Sequence, residues 1–309
     1  MSDGPEIFVT LSTFSREAPT PNLALEASGY SFKVNESGRR IRPEEVLEQV
    51  PGVMGLIAGV EPYKRETLSA LPNLKAISRC GVGIDAIDLD AAKDLGIAVL
   101  NTPQPPIDAV AELTLTFILA LLRDLPALSD STHKGEWKRR TGRILGGRTV
   151  GLIGLGRIGR RTLELLRPFG VRIVAVDPAA DATWAAENGI ELTDLDGVLS
   201  QAEIVSIHTA GGSGLRLGAR EFGIMPPGAY LINTARGEVV DDVALRAALD
   251  SGHLAGAALD VFPEEPYHGA LLGCERVIAT PHQATLTLET RVAMELEAVN
   301  NLVSLLDVE

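Results

Sequence analysis

Three glycines near the middle of the chain have the spacing of a nucleotide-binding loop. Gly154, Gly156 and Gly159 form the pattern G-x-G-x-x-G, which follows the apolar run 150–153 and opens a predicted helix. The pattern alone is weak evidence, because 31 glycines give such spacings by chance. Asp177 ends the next predicted strand, where dinucleotide-binding βαβ units carry an acidic residue. The segment therefore predicts a dinucleotide-binding site.

Each residue of this loop has a physical task. Gly154 permits the tight turn out of the strand, Gly156 lets the backbone approach a pyrophosphate, and Gly159 allows the helix to pack closely on the strand. The N–H groups of Arg157 and Ile158 lie at the positive end of the helix dipole. We predict that these two N–H groups bind the phosphates.

The acidic residue indicates which cofactor binds. The Asp177 carboxylate can accept hydrogen bonds from ribose hydroxyls, and it would repel a 2′-phosphate. No arginine follows directly, because the next residues are Pro178 and Ala179. We therefore predict NAD rather than NADP. Many proteins of different function carry a dinucleotide-binding segment of this kind, because the fold does not determine the reaction.

Four further segments narrow the reaction. They are RCGVGIDAIDLDAA (79–92), LINTARGEVVDDVAL (231–245), GAALDVFPEEP (256–266) and ATPHQAT (279–285). In this order and spacing they resemble the D-isomer-specific 2-hydroxyacid dehydrogenases, and most closely the phosphoglycerate dehydrogenase branch. The resemblance covers about residues 50–309. It implies that a hydride moves between NAD(H) and C2 of a small D-2-hydroxy acid.

The resemblance also implies three catalytic residues for this reaction. Reduction of a 2-keto acid places a hydride on C2 and a proton on the carbonyl oxygen. Arg236 matches the family's arginine, whose planar guanidinium suits the substrate carboxylate. His282 matches the residue that donates the proton in reduction and accepts it in oxidation. Glu265 matches the carboxylate that orients the histidine and favours its protonated form. Arg236 and His282 are therefore also predicted substrate contacts.

The resemblance implies that further residues contact the nicotinamide half of NAD. Besides the glycine loop and Asp177, the predicted cofactor-binding residues are Thr102, Thr209, Thr234, Ala235, Arg236, Asp260 and His282. His208 ends a predicted strand beside them, and we expect a structural role for it. We predict no metal ion.

A second loop with two glycines, Gly81-Val82-Gly83, is suited to an anion. Its glycines let backbone N–H groups point at a negative charge, and in the family that the chain resembles this loop holds the substrate carboxylate. Arg79 precedes the loop, and Arg139 lies in the basic cluster 137–140. By resemblance these two arginines hold a second anionic group such as a phosphate. The alternative is that the cluster is only a solvated loop.

Three places depart from the family's pattern. Gln104 and two stiffening prolines follow Asn101-Thr102-Pro103, Ala210 stands where proline is usual, and Gln283 follows the histidine in place of a small residue. All three are expected to border the substrate or the nicotinamide. They leave open whether the substrate is glyoxylate, hydroxypyruvate or another short 2-keto acid, with or without a phosphate or phosphonate. A non-catalytic NAD-sensing protein is the alternative from another class.

The composition excludes several kinds of partner. The 309 residues carry a formal charge of −13, so we expect no nucleic acid partner. The most apolar stretch, 113–122, is too short to span a membrane. The N-terminus lacks a signal-peptide pattern and two cysteines exclude a disulfide framework, so we expect a cytoplasmic location. The chain ends soon after its last predicted helix, so no C-terminal regulatory domain is expected.

Alternating strands and helices must position these residues. Parallel sheets with both faces covered are the expected result of such alternation. We therefore predict an α/β protein with two doubly wound parallel-sheet domains. The predicted strands are 7–11, 53–58, 74–78, 98–101, 149–153, 171–176, 204–207, 229–233, 255–258 and 277–279.

The two domains have different expected roles. Residues 103–285 are predicted to form a Rossmann NAD-binding domain, because the glycine loop and most of the catalytic segments lie there. Residues 1–102 and 286–309 are predicted to form a discontinuous, flavodoxin-like domain that binds the substrate.

One helix, predicted over 108–125, is apolar on nearly every face. A helix of this kind must be buried all round. We therefore predict a homodimer that forms through this helix, and burial between two domains of one monomer is the alternative.

Overall fold

The computed structural model describes residues 5–50 and 52–307. Contacts between residues divide the chain into two compact units. Unit 1 contains the residues up to Pro106 and those from Thr285 onward, and unit 2 contains Ile107–Ala284.

Unit 1 is built on a five-stranded parallel sheet with the order β2-β1-β3-β4-β5. The strands are β1 (Ile7–Val9), β2 (Phe32–Val34), β3 (Gly55–Ala58), β4 (Ala76–Arg79) and β5 (Ala98–Asn101). The helices are α1 (Thr20–Ala27), α2 (Pro43–Gln49), α3 (Arg65–Ser69), α4 (Leu89–Asp94) and the last helix of the chain, α12 (Leu288–Leu306). Helices α1 and α12 cover one face of the sheet, and α2, α3 and α4 cover the other. Both faces are therefore buried, as a parallel sheet requires.

Unit 2 is built on a seven-stranded parallel sheet with the order β12-β11-β10-β9-β6-β7-β8. The strands are β6 (Thr149–Ile153), β7 (Arg172–Val176), β8 (Ile190–Leu192), β9 (Ile204–Ile207), β10 (Ala229–Asn233), β11 (Leu254–Leu259) and β12 (Val277–Ala279). The helices are α5 (Pro106–Leu122), α6 (Leu125–His133), α7 (Arg157–Leu166), α8 (Ala182–Glu187), α9 (Leu195–Gln201), α10 (Ala219–Ile224) and α11 (Asp242–Asp250). Short 3₁₀ turns lie at Arg167–Phe169 and Gly237–Val239. These two parallel sheets confirm the predicted fold class.

Side chains that precede several helices stabilise their first turns. The carboxylate of Asp181 accepts N–H groups of α8, Asp194 does so for α9, and Asp241 for α11. Such caps satisfy N–H groups that have no partner inside a helix, and each is worth about 1 kcal/mol. These local signals explain why the helices of unit 2 begin where they do.

The long apolar helix ends earlier than the predicted 125. Helix α5 stops at Leu122, because Asp124 adopts a left-handed conformation with φ 52° that a right-handed helix cannot continue through. The N–H of Arg143 donates to the Leu122 carbonyl at 2.8 Å and satisfies that helix end. A separate helix, α6, then begins at Leu125.

Within residues 5–50 and 52–307, no helix combines the length and the hydropathy needed to cross a bilayer.

Candidate active site

The predicted cofactor and catalytic residues of unit 2 share one edge of its sheet. All strands of the sheet are parallel, so their carboxyl ends lie along the same edge. The chain order reverses between the adjacent strands β6 and β9, and open α/β sheets bind ligands at such a point. The residues that follow the strand ends are Gly154 (β6), Asp177 (β7), Thr209 (β9), Arg236 (β10), Asp260 (β11) and His282 (β12).

The glycine loop has the geometry that its spacing predicts. Gly154 has φ 102°, and a Cβ on it would lie 2.7 Å from the carbonyl oxygen of His208. A Cβ on Gly159 would collide with the carbonyl oxygen of Gly154. At Gly156, by contrast, a Cβ would meet open space. The first and last glycines are therefore required by packing within the protein, whereas the middle one leaves room for a ligand to approach the backbone.

Helix α7 begins at Arg157, and its N-cap Gly156 supplies no side-chain acceptor. The first-turn N–H groups of this helix therefore have neither a partner inside the helix nor a side-chain cap, which makes them a suitable anion site. Asp177 supports the same loop, because Oδ2 accepts the Leu155 N–H at 2.6 Å and Oδ1 accepts the Ala179 N–H at 2.8 Å. A carboxylate has about four lone-pair sites, so acceptor capacity remains for ribose hydroxyls.

Two polar atoms beside the glycine loop have no hydrogen-bond partner within the described part of the chain. They are Oγ1 of Thr209 and Nδ1 of His208, and both are buried. Native proteins rarely leave buried polar atoms unsatisfied, so each indicates a missing partner or a local constraint. The predicted nicotinamide contact Thr209 therefore has a free hydroxyl, and together with the open space at Gly156 this fits a bound dinucleotide.

His208 packs against the glycine loop. Its Nε2 lies 2.9 Å from Oγ of the fully buried Ser206, and its Cβ is close to Gly159. Burial of the ring lowers the pKa of His208 to about 4, because the charged imidazolium loses its hydration there. The sequence predicts a structural role for this histidine, and its packing against both outer glycines of the loop supports one.

We expect His208 to make the fold sensitive to acid. The unfolded chain protonates this histidine below about pH 6.5, whereas the folded protein does so only near pH 4, so stability falls as the pH drops between these values. The group contributes nothing above pH 6.5, and by pH 5 it costs about 2 kcal/mol. Denaturant unfolding at pH 7 and pH 5 should show a smaller loss for His208→Gln than for wild type. The exposed His133→Gln is the control, and equal losses in all three proteins would contradict the assignment.

Arg236 follows β10 in a turn that Asn233 holds. Asn233 is fully buried, its Nδ2 donates to the Arg236 carbonyl at 2.8 Å, and its Oδ1 accepts the Ala235 N–H at 3.0 Å. A Cβ on the next residue, Gly237, would collide with the backbone of Phe262. The half-buried Arg236 side chain donates from Nη1 to the Ala235 carbonyl at 2.8 Å. Asn233 was not among the predicted site residues, although its place just before T-A-R-G was a usable signal.

Thr234 is also anchored within unit 2. Its Oγ1 lies 3.0 Å from Oγ1 of Thr114, which is fully buried in α5. This bond fixes the predicted cofactor segment Thr234–Arg236 to the helix that covers the sheet.

Glu265 and His282 form a direct pair. Oε2 of Glu265 lies 2.9 Å from Nδ1 of His282, and Oε1 accepts the Phe262 N–H at 3.1 Å. An ionised carboxylate can only accept hydrogen bonds, so Nδ1 of the ring carries a proton. Nε2 is therefore the ring nitrogen that remains available to donate or accept a proton. The His282 side chain is 48% exposed.

Asp260 holds the loop that carries His282. It is fully buried, and its Oδ1 accepts the Thr280 hydroxyl at 2.5 Å and the Gln283 N–H at 2.9 Å, while Oδ2 accepts the Ala284 N–H at 2.9 Å. His282 has φ 50°, a left-handed conformation that is uncommon outside glycine and costs free energy. The bonds to Asp260 offset this cost. The nicotinamide contact predicted for Asp260 stays a prediction, and the structure adds a positioning role.

The Gly81–Gly83 loop belongs to unit 1. Gly81 has φ 142°, its N–H donates to Oγ1 of the buried Thr102 at 2.7 Å, and Nδ2 of Asn101 donates to the Val82 carbonyl at 2.6 Å. Thr102, which we predict to lie near the nicotinamide, therefore supports the predicted substrate loop. The Arg79 guanidinium packs over Gly81 and donates to the Cys80 carbonyl.

Arg139 lies in unit 2, in a segment without regular secondary structure, 134–144, whose side chains are all exposed. Arg79 and Arg139 are therefore in different units. Their joint role in binding a second anionic group stays a prediction.

The comparisons with known proteins agree with this geometry. Residues 115–284 match the family model described as "D-isomer specific 2-hydroxyacid dehydrogenase, NAD binding domain". A glyoxylate reductase from Thermofilum pendens is 38% identical over 98% of this chain and 91% of that protein. A crystal structure of a glyoxylate reductase from Paecilomyes thermophila superposes with a TM-score of 0.88 at 30% identity, covering 99% of this chain and 97% of the other.

A D-3-phosphoglycerate dehydrogenase from Mycobacterium bovis is 37% identical over 80% of this chain. The alignment covers 48% of that relative, so the chain spans about half the length of the phosphoglycerate dehydrogenase that it matches. The family match and the long alignment with the glyoxylate reductase confirm the resemblance inferred from the sequence. This chain belongs to the D-isomer specific 2-hydroxyacid dehydrogenase family and carries the family's NAD binding domain.

Proposed function

We propose that this protein is an NAD-dependent dehydrogenase that interconverts a small D-2-hydroxy acid and its 2-keto acid. The hydrogen-bonded pair of Glu265 and His282, next to the Arg236 turn at the ends of adjacent parallel strands, carries the proposal. A titratable group, its orienting carboxylate and a cation for the substrate are the parts that this acid–base reaction needs.

The residues have distinct tasks in this mechanism. The glycine loop and Asp177 would hold NAD, which when bound would provide the hydride donor or acceptor for C2. Arg236 binds the substrate carboxylate and polarises the carbonyl at C2, since its planar guanidinium offers several donors in one plane. His282 donates a proton from Nε2 to the carbonyl oxygen during reduction and takes it back during oxidation. Glu265 keeps the proton of Nδ1 in place throughout, so that the ring presents Nε2 to the substrate.

The substrate is proposed to be a short 2-keto acid such as glyoxylate or hydroxypyruvate, with or without a phosphate or phosphonate group. Glyoxylate has the better support, because a glyoxylate reductase aligns along nearly the whole chain. The decisive experiment is NADH oxidation with a panel of 2-keto acids that includes phosphorylated members. No turnover with any of them, combined with tight NADH binding, would favour a non-catalytic NAD-sensing protein.

The same panel tests the second anionic group. If Arg79 and Arg139 bind a phosphate or phosphonate, Arg79→Ala or Arg139→Ala should raise KM for such a substrate by about tenfold, the usual worth of a hydrogen bond to a charged group. KM for glyoxylate should rise much less, because glyoxylate has no second anionic group. Equal changes for both substrates, or no change, would mean that Arg139 belongs to a solvated loop.

Cofactor preference is expected to depend on Asp177. Asp177→Ala should reduce the preference for NADH over NADPH by about tenfold or more in kcat/KM, because the carboxylate no longer repels the 2′-phosphate. Asp177→Asn is the matched variant, since it removes the charge and keeps an oxygen for the Leu155 N–H. Comparable kcat/KM values for NADH and NADPH in the wild-type protein would contradict the proposed preference.

We further propose a homodimer that forms through α5 and the segment after it. Three apolar side chains there are largely exposed: Leu125 at 57%, Trp137 at 82% and Ile144 at 76%. A cavity of about 480 Å³ lies beside them, between the end of α5, residues 140–143 and strands β11 and β12. Exposed apolar groups next to a cavity on the same surface suit contact with a second copy. Sedimentation should show a dimer that Trp137→Asp and Ile144→Asp dissociate, and a monomeric wild-type protein would contradict this proposal.

We also propose a cytoplasmic location. Both cysteines, Cys80 and Cys274, are free thiols, as is usual in reducing compartments. Cell fractionation tests this proposal, and recovery of the protein from a secreted fraction would contradict it.

A further inference from the structure

An arginine and a tryptophan pack together beside the glycine loop. The guanidinium carbon of Arg160, on α7, lies 3.9 Å from the centre of the Trp184 ring on α8. Both side chains are half-buried. A cation over an indole face at this distance is attracted to the ring electrons, and tryptophan is the best aromatic partner for it.

Arg160 is connected to Asp177 through one residue. Its Nε donates to the Leu155 carbonyl at 2.9 Å, and the N–H of Leu155 donates to Oδ2 of Asp177 at 2.6 Å. The positive guanidinium and the negative carboxylate are therefore held by opposite ends of Leu155. This hydrogen-bond chain therefore links a cation, Arg160, to the carboxylate that is proposed to bind the ribose.

A cation near Asp177 matters for the choice between NAD and NADP. A 2′-phosphate carries a charge of nearly −2 and needs a cation, because Asp177 repels it. Arginine suits phosphate, since its guanidinium offers several donors in one plane. In this structure Arg160 directs Nε to a carbonyl and its planar face to Trp184, so the side chain is held by the protein.

We infer that Trp184 is a positioning residue that enforces the preference for NAD by holding Arg160 away from the ribose 2′ position. While the stacking persists, the repulsion from Asp177 is unopposed. When the ring is removed, the guanidinium is free to turn about its long side chain and to pair with a 2′-phosphate. This inference rests on the proposed preference for NAD, and it adds a second determinant to Asp177.

Binding of NADH and of NADPH to the full-length protein, measured by calorimetry without substrate, tests this inference. Trp184→Leu should strengthen NADPH binding by about 3- to 30-fold, the range that corresponds to loss of a cation–π contact. Binding of NADH should change by less than about twofold, because NADH has no 2′-phosphate for Arg160 to bind. Trp184→Phe keeps an aromatic face and should behave like wild type. An exposed aromatic residue without a proposed role, changed in Phe169→Leu, is the control.

The double variant Trp184→Leu/Arg160→Gln identifies the cause. It should lose the gain in NADPH binding, because the gain requires the freed guanidinium. A gain that persists in the double variant would overturn the inference, and so would an unchanged ratio of the two dissociation constants in Trp184→Leu. If wild type binds NADPH as well as NADH, the proposed preference for NAD fails. If wild type prefers NADH and Trp184→Leu has the same ratio of the two dissociation constants as wild type, the preference for NAD stands and only the role of Trp184 is wrong.

Discussion

Replacement of His282 by alanine is expected to lower kcat for keto-acid reduction by about 10²–10⁴-fold, the usual contribution of a positioned acid–base group. The dissociation constant for NADH should change far less than kcat, because the glycine loop and Asp177 are unaffected and His282 is only one of the predicted cofactor contacts. Steady-state kinetics and NADH titration of the purified variant measure both quantities. A variant with kcat within a few-fold of wild type would show that another group supplies the proton.

The partner of His282 is tested by kcat in both directions of the reaction. Reduction requires the protonated ring and fades as the pH rises, whereas oxidation requires the neutral ring and fades as the pH falls. In both directions Nδ1 must keep its proton so that Nε2 faces the substrate. Glu265→Ala removes the acceptor of the Nδ1 proton, so kcat should fall for reduction and for oxidation, whereas Glu265→Gln keeps an oxygen that can accept this proton and should lose less. The neighbouring exposed Glu264→Ala should change kcat in neither direction. Wild-type kcat in Glu265→Ala would exclude Glu265 as the orienting carboxylate.

Loss of the Asp260 carboxylate is expected to damage both stability and activity. In Asp260→Ala three donors lose their acceptor, namely the Thr280 hydroxyl and the N–H groups of Gln283 and Ala284. An unsatisfied buried donor costs about 1–3 kcal/mol, so the free energy of unfolding should fall by about 3 kcal/mol or more. Denaturant unfolding of the variant and of wild type measures this difference.

The conservative change Asp260→Asn separates activity from folding. Its amide oxygen can keep the bonds to Thr280 and Gln283, while its NH₂ group faces the Ala284 N–H. The loop around His282 should then shift, and a misplacement of about 1 Å costs roughly 100-fold in rate. We expect kcat to fall by about that factor in protein whose circular dichroism is unchanged. Wild-type kcat in Asp260→Asn would contradict a positioning role for Asp260.

The sequence by itself determined the fold class and the geometry of the glycine loop. Gly154, Gly159 and Asp177 lie within one strand–helix–strand unit, so short-range pattern and turn chemistry were enough to predict their geometry. The alternation of strands and helices likewise predicted two parallel sheets, because each apolar segment needs a cover on both faces. The matching order of the catalytic segments predicted the family.

Short elements and helix ends were predicted less well. Strands β2 and β8 have three residues each and α1 has eight, which is too short for a clear hydrophobic period. The end of α5 depended on the backbone conformation of Asp124 and on the bond from the Arg143 N–H to Leu122. Arg143 and Leu122 are about twenty positions apart in the sequence. A short stretch around the end of α5 therefore does not contain the contact that helps to end this helix.

Only the tertiary structure decided how the site residues are held. Asp260 meets Thr280, Gln283 and Ala284 because β11 and β12 are neighbours in the sheet, and the chain between them shows no pattern that predicts this. Arg160 meets Trp184 because α7 and α8 contribute to the same hydrophobic cluster of unit 2. Hydrophobic periods and turn residues act over a few positions and are readable from the sequence, whereas contacts between distant side chains exist only after the sheet and helices have packed.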